Sequence, residues 1–290
     1  MNSSRKLKKY AWVLIKVSLS IIGFWYAFHS VDVIQIKEAL KQSNLIFISL
    51  AFICYVLSQC LSSLRLRYIM SAIQDDVPVR WNLKLYFQGM AYNLFLPGGI
   101  GGDAYKMIAY AKRSSIKAKR YFLPLLADRL LGLAAIIILL AVFTPIIPAL
   151  KEYTWWNSTW VIPVVVIVIV LGYSVAKKWF KHFTPIYWKG LLYSVGIQVL
   201  QLAAILCIYF SMETVLENVV FVTMFVFLLS SIATAVPVFM GGLGAREVVF
   251  ATLFPAFGLA GETGVWIALV FSTIVVISSL PGLFLGLSKD

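Results

Sequence analysis

Apolar runs dominate the chain, with polar residues gathered in short blocks between them. One helical crossing of a bilayer takes about 20 mostly apolar residues. Six runs reach that length, at 10–28, 45–64, 121–143, 158–176, 190–210 and 264–287. Two further stretches, 81–112 and 216–257, are broken by glycine clusters, Gly98-Gly99-Ile100-Gly101-Gly102 and Gly241-Gly242-Leu243-Gly244. The first run follows a basic start, as in a signal peptide. It is too long and has no small-residue cleavage site before the next run, so it reads as an uncleaved helix.

Composition fixes the class. Of 290 residues, 61% are hydrophobic and 13% charged. A soluble domain is about half apolar and about a quarter charged. One core cannot hide this much apolar surface, which excludes a soluble enzyme, a disordered tail or a secreted disulfide scaffold. The expected fold class is an all-α polytopic membrane protein. Cys54, Cys60 and Cys207 lie in apolar runs and act as small hydrophobes, too few for a disulfide framework.

The net charge of +13 points to orientation in a membrane rather than to nucleic acid, because the cations flank the apolar runs. Arg5, Lys6, Lys8 and Lys9 precede the first run. Ten cations, from Arg65 to Arg120, fall between the second and third, and Lys177, Lys178, Lys181 and Lys189 follow the fourth. The other connections are poor in Lys and Arg. The positive-inside rule then places the N-terminus on the cytoplasmic side, and a bacterial or archaeal plasma membrane is the expected location.

The glycine clusters are 143 residues apart (241 minus 98), close to half the chain length of 290. The same shift carries the first run onto the fourth, the second onto the fifth and the third onto the last. The chain therefore divides into halves 1–145 and 146–290, each with three crossings and one broken helical hairpin. If each hairpin enters and leaves on one side, the number of crossings per half is odd and the second half is inverted. Inverted repeats with re-entrant segments are a transporter architecture. The alternative is that the broken stretches span fully, giving seven or eight ordinary helices.

Irregular backbone at membrane depth must face protein or a watery cavity. A glycine-rich break followed by a half-helix offers N–H groups to an anion such as a phosphate. Gly98, Gly99, Gly101, Gly102, Gly241, Gly242 and Gly244 are the candidates for such contacts, with Pro97 and Asn93 shaping and satisfying the first break. Close helix packing is the plainer use of small residues. Charges inside apolar stretches add weight to a site. Asp103 either caps a half-helix or orients Lys106. Arg246 and Glu247 neutralise one another or find partners elsewhere. Asp128 and Arg129 form a structural ion pair or belong to the site. The chain has two histidines, His29 and His182, both near membrane edges, and it has no Walker loop and no dinucleotide fingerprint. No cofactor and no metal are expected.

The segment Asn93-Leu94-Phe95-Leu96-Pro97-Gly98-Gly99-Ile100-Gly101-Gly102-Asp103, with Lys106, then Asp128-Arg129, then Val236-Pro237-Val238-Phe239-Met240-Gly241-Gly242-Leu243-Gly244-Ala245-Arg246-Glu247, resembles the lysylphosphatidylglycerol synthase transmembrane-region family of flippase-like proteins. The resemblance covers nearly the whole chain. It departs at Lys106, where the family usually has Arg, so the cation stays but the fork geometry does not. In fused members the membrane unit translocates aminoacylated phosphatidylglycerol and a soluble domain attaches the amino acid. Asp290 directly follows the last run, so lipid synthesis is not expected here.

The resemblance implies a lipid translocator whose partners are membrane lipids with an anionic, phosphate-containing headgroup, together with a lipid-modifying enzyme. Arg246, Arg129 and Lys106 would balance the anion; Asp103, Asp128 and Glu247 would orient those cations or meet a cationic head. A polar cavity between the two hairpin tips is the expected location. A glycosyltransferase using polyprenyl-phosphate sugars and a small-solute carrier are the alternatives. The short outer loops hold no recognisable acid–base arrangement for the first, and a solute carrier would keep its site sealed from lipid.

Overall fold

The computed structural model describes residues 43–73, 75–95, 101–114, 116–147, 158–179, 181–212, 217–235 and 242–287. The expected crossing at 10–28 and the candidates Pro97, Gly98, Gly99 and Gly241 lie outside these residues.

Among the described residues the chain forms nine α-helices and no strand. They are α1 (Leu45–Met70), α2 (Val79–Phe95), α3 (Gly101–Arg113), α4 (Phe122–Phe143), α5 (Val161–Trp179), α6 (Tyr187–Phe210), α7 (Glu217–Ala235), α8 (Ala245–Ala256) and α9 (Gly261–Ser279). Five segments are long and apolar enough to cross a membrane: Leu45–Ile73, Ala118–Ile146, Val161–Lys178, Thr184–Phe210 and Gly261–Leu283. They coincide with five of the six apolar runs, and the chain is polytopic and all-α as expected.

The ends of two runs are corrected. The run at 45–64 was expected to stop before Arg65, but α1 continues to Met70. Arg65 is buried and paired, and Arg67 donates from Nε to the Val77 carbonyl at 2.6 Å and from Nη2 to Asp76 at 2.7 Å. At the other end α9 stops at Ser279, where a 3-10 turn over Leu280–Leu283 begins with Pro281 near its start. Gly282 in that turn lies so close to the Phe87 backbone of α2 that a Cβ would overlap the carbonyl.

At the centre α1 and α6 pack antiparallel. Asn44 N–H donates to the Ser211 carbonyl at one end, and Arg65 donates to Ser194 at the other. Asn44 also caps α1, its Oδ1 accepting from Ile46 N–H at 2.9 Å. The main apolar core joins α1, α6, α7, α8 and α9 through Tyr55, Ile205, Phe227, Phe250 and Phe271, among others. Helix α5 is peripheral and leaves Ile162, Val166, Ile167, Val170 and Leu171 exposed. That is the pattern of a helix with one face in lipid, where close packing rather than apolar burial drives association.

The two broken stretches each form a pair of antiparallel helices. In the first, Trp81 on α2 meets Tyr110 on α3, and Tyr92 meets Tyr105. The helices touch at glycine: a Cβ on Gly102 would overlap the Gly89 carbonyl oxygen. In the second, Phe227 on α7 meets Arg246 on α8, and Gly242 lies against Thr234. Gly242 and Gly244 take φ of 79° and 89°, a left-handed turn that side chains resist.

Candidate functional site

A polar seam runs between α1 and α6. Tyr55, Gln59, Ser62 and Arg65 follow one another on α1 at steps of three or four residues, and Ser194, Gln198 and Gln201 do the same on α6. Such steps keep side chains on one helix face. Because the two helices are antiparallel, Arg65 faces Ser194 while Tyr55 and Gln59 face Gln198 and Gln201. In the sequence Arg65 reads as one of the loop cations, and the other polar residues are hidden within apolar runs. The helical spacing of these polar residues inside apolar runs is the signal that could have found them.

At one end of the seam lies a buried ion pair. Arg65 Nε donates to Asp128 Oδ1 at 2.7 Å, and Arg65 Nη1 donates to Ser194 Oγ at 2.8 Å. Gly132, one turn beyond Asp128, lies beside the guanidinium, whose Nη1 would stand 3.5 Å from an added Cβ. The expected Asp128–Arg129 pair is therefore corrected. Consecutive helical residues point about 100° apart, since a turn takes about 3.6 residues. Asp128 turns inward to α1. Arg129 turns toward α3, where its Nε donates to Asp103 Oδ2 at 2.6 Å.

Asp103, in the first turn of α3, holds two cations. Its second oxygen, Oδ1, lies 3.4 Å from Lys106 Nζ. The Lys106 stem lies across Gly89, and its ammonium sits 4.2 Å from the Tyr86 ring centre. Asn93 Oδ1 accepts from Gly102 N–H at 2.8 Å. Asn93, Gly101, Gly102, Asp103, Lys106 and Arg129 thus stand at one α2–α3–α4 junction.

At the other end of the seam is a cavity of about 310 Å³. Its wall comprises Tyr55 and Gln59 from α1, Gln198 and Gln201 from α6, Ser231 and Thr234 from α7, Gly242 and Arg246 beside them, and Phe271 and Ser272 from α9. No residue of α2 or α3 lines it. Among the described residues the second pair of helices shares this cavity with α1, α6 and α9, and the tip of the first pair lies outside the described residues.

Arg246 is the charge in this wall. Its guanidinium lies between two rings, 4.8 Å from Phe227 and 4.1 Å from Phe271. Nη1 is buried without a hydrogen-bond partner, and no carboxylate among the described residues pairs with the side chain. Neighbouring Glu247 is fully buried and committed elsewhere. Its Oε2 accepts from Gly244 N–H at 2.9 Å and its Oε1 from Ser272 Oγ at 2.6 Å. Glu247 therefore pins the α8 start to α9 and makes no ion pair with Arg246. The N–H groups of Gly102 and Gly244, two of the expected anion donors, are already used by Asn93 and Glu247.

Comparison with known proteins agrees with the architecture. The sequence profile described as the lysylphosphatidylglycerol synthase TM region matches residues 13–282. A UPF0104 membrane protein of Pyrococcus horikoshii is 26% identical over 134 residues, covering 46% of this chain and 39% of that protein. The matched segment thus spans well under half the length of that relative.

Proposed function

Because the chain belongs to the lysylphosphatidylglycerol synthase transmembrane-region family, an integral membrane family, we propose that it translocates a phosphate-containing lipid. The observation that carries this is Arg246: a buried guanidinium with an unpartnered Nη1 in the wall of a polar cavity. An unpaired cation inside a membrane domain is costly to retain. A phosphate oxygen supplies both the charge and the acceptor that Arg246 lacks. The headgroup enters this cavity while its tails stay in lipid.

The polar seam gives the headgroup a hydrogen-bonding route. From Tyr55 to Arg65 it covers ten residues of α1, about 15 Å at ~1.5 Å per residue, roughly half of the hydrocarbon thickness. An alternating arrangement of two inverted halves suits such a route, with each short helix pair dipping into the membrane as a re-entrant hairpin. Helix bounds support that picture. Shifting α3 by 143 gives 244–256, against Ala245–Ala256 for α8, and shifting α1 gives 188–213, against Tyr187–Phe210 for α6. The antiparallel packing of α1 and α6 is what inversion requires. Arg129 and Lys106, held by Asp103, attract the anionic head toward the membrane domain from the basic side of the chain.

Proteoliposomes carrying a fluorescent phospholipid test this. Dithionite quenches only outer-leaflet label, so protein-dependent quenching beyond that fraction measures translocation. Wild-type protein should give it and Arg246→Gln should not, with both inserted equally. Equal quenching by protein-free vesicles would sink the proposal.

A further inference from the structure

We infer that the Arg246 cavity selects a singly charged phosphodiester bearing uncharged hydroxyl groups, as in a glycerol or sugar head, over a cationic head or one without hydroxyls. This rests on the translocator reading for transport, but the binding chemistry stands on the cavity wall itself.

The charge comes first. Among the described residues Arg246 is the single Lys or Arg in the wall, and no Asp or Glu lines it. One guanidinium balances one negative charge. A head carrying an added ammonium would bring a second cation next to Arg246 with no carboxylate to receive it, and desolvating an unpaired charge is costly.

The hydrogen bonds come second. Ser231 Oγ donates to the Phe227 carbonyl at 2.9 Å, and Thr234 Oγ1 donates to the Ser231 carbonyl at 2.9 Å. Ser272 Oγ donates to Glu247. Each of these three hydroxyls has spent its proton on protein and has only lone pairs left to offer. Gln198 Oε1 is buried and has no partner. Gln198 Oε1 is thus an open acceptor in the wall, and Arg246 is its charged donor. A hydroxyl both donates and accepts, so it satisfies Gln198 whichever way the carboxamide is turned. Sites built to bond a hydroxyl discriminate strongly against analogues without one, because their buried polar groups are then left unpaired.

The test uses the full chain in phosphatidylcholine vesicles, each with one acyl-labelled guest: phosphatidylglycerol, phosphatidylethanol or lysyl-phosphatidylglycerol. The first two carry the same charge and differ in hydroxyls. Phosphatidylglycerol should move about tenfold faster than either of the others, the effect of roughly one net hydrogen bond. Gln198→Leu should bring it down to the phosphatidylethanol rate. Equal wild-type rates for phosphatidylglycerol and phosphatidylethanol, or faster movement of the lysyl lipid, overturn the inference while translocation stands. If no guest moves, translocation falls, and water-soluble glycerophosphoglycerol decides the site chemistry by titration calorimetry on detergent-solubilised protein. Binding that is lost in Arg246→Gln supports the inference with a soluble ligand as its source; no binding overturns it.

Discussion

Arg65 on α1 and Asp128 on α4 are joined by a 2.7 Å bond between Nε and Oδ1, both side chains buried in the membrane domain. The pair also ties in α6, because Arg65 Nη1 donates to Ser194 Oγ. Three crossing segments therefore meet at one guanidinium. The α1 helix continues beyond its apolar run because this partner awaits Arg65 inside.

Breaking that pair from one side should be severe. Asp128→Asn or Arg65→Met alone leaves the other charge buried, a loss of about 3–5 kcal/mol. The double variant Arg65→Met/Asp128→Leu removes both charges and should recover most of it. Unfolding in detergent, followed by circular dichroism against denaturant, measures all three. Losses that simply add in the double variant would mean that the two residues do not stabilise one another.

Glycine at the α2–α3 contact makes a second expectation. A Cβ at Gly102 would overlap the backbone oxygen of Gly89, which cannot rotate away as a side chain tip could. Gly102→Ala should cost at least the ~1–3 kcal/mol of an overpacked core site. Gly258 also has a left-handed φ, 74°, but nothing lies within 4 Å of its added Cβ. Gly258→Ala should therefore lose only about 1 kcal/mol of backbone strain. Comparable Tm losses for the two variants would contradict the close approach.

Much of this fold was legible in the chain because membrane helices announce themselves by length and apolarity. Five expected runs became five segments able to cross, and in the second glycine break the described Gly242 and Gly244 form a turn that leads into α8. Sidechain pairing was not legible. Asp128 and Arg129 are neighbours in sequence, but a helix sends them to different partners. Arg246 and Glu247 likewise part, because Glu247 is drawn to the Gly244 N–H and Ser272. Arg65 looked like a flank charge, since nothing local tells a buried terminal Arg from a wetted one. Gln198, Gln201 and Gln59 give no signal of their own in the sequence, because three amides scarcely alter the hydropathy of long apolar runs. Their common helix faces become visible only when α1 and α6 are laid side by side.

Asp103 should act through the cations it holds. It bonds Arg129 at 2.6 Å and reaches Lys106 at 3.4 Å. Lys106 is the more deeply buried of the two cations, its side chain 7% exposed against 39% for Arg129. Asp103→Asn leaves it unpaired and should cost about 3 kcal/mol or more of stability. Asp103→Asn/Lys106→Met should restore a good part of that loss, since Arg129 is better exposed. Thermal unfolding of the single and double variants decides it; no recovery would show that Lys106 does not feel the carboxylate.

Arg246 sets stability against function. The fold gives this guanidinium two aromatic faces but no carboxylate partner among the described residues. Contact with the rings contributes about 2 kcal/mol when desolvated, less than the several kcal/mol of burying an unpaired ion. Arg246→Met keeps a long, flexible chain against Phe227 and Phe271 and removes the charge. Its Tm in detergent should stay level or rise by a few degrees, while lipid transport is abolished. Arg246→Lys keeps the charge but not the planar fork, and should retain the fold with transport reduced at least tenfold. A functional cation and a structural one predict opposite signs for the methionine variant. A fall of several degrees in its Tm would make Arg246 a strut of the α7–α8–α9 core rather than the receptor for a phosphate.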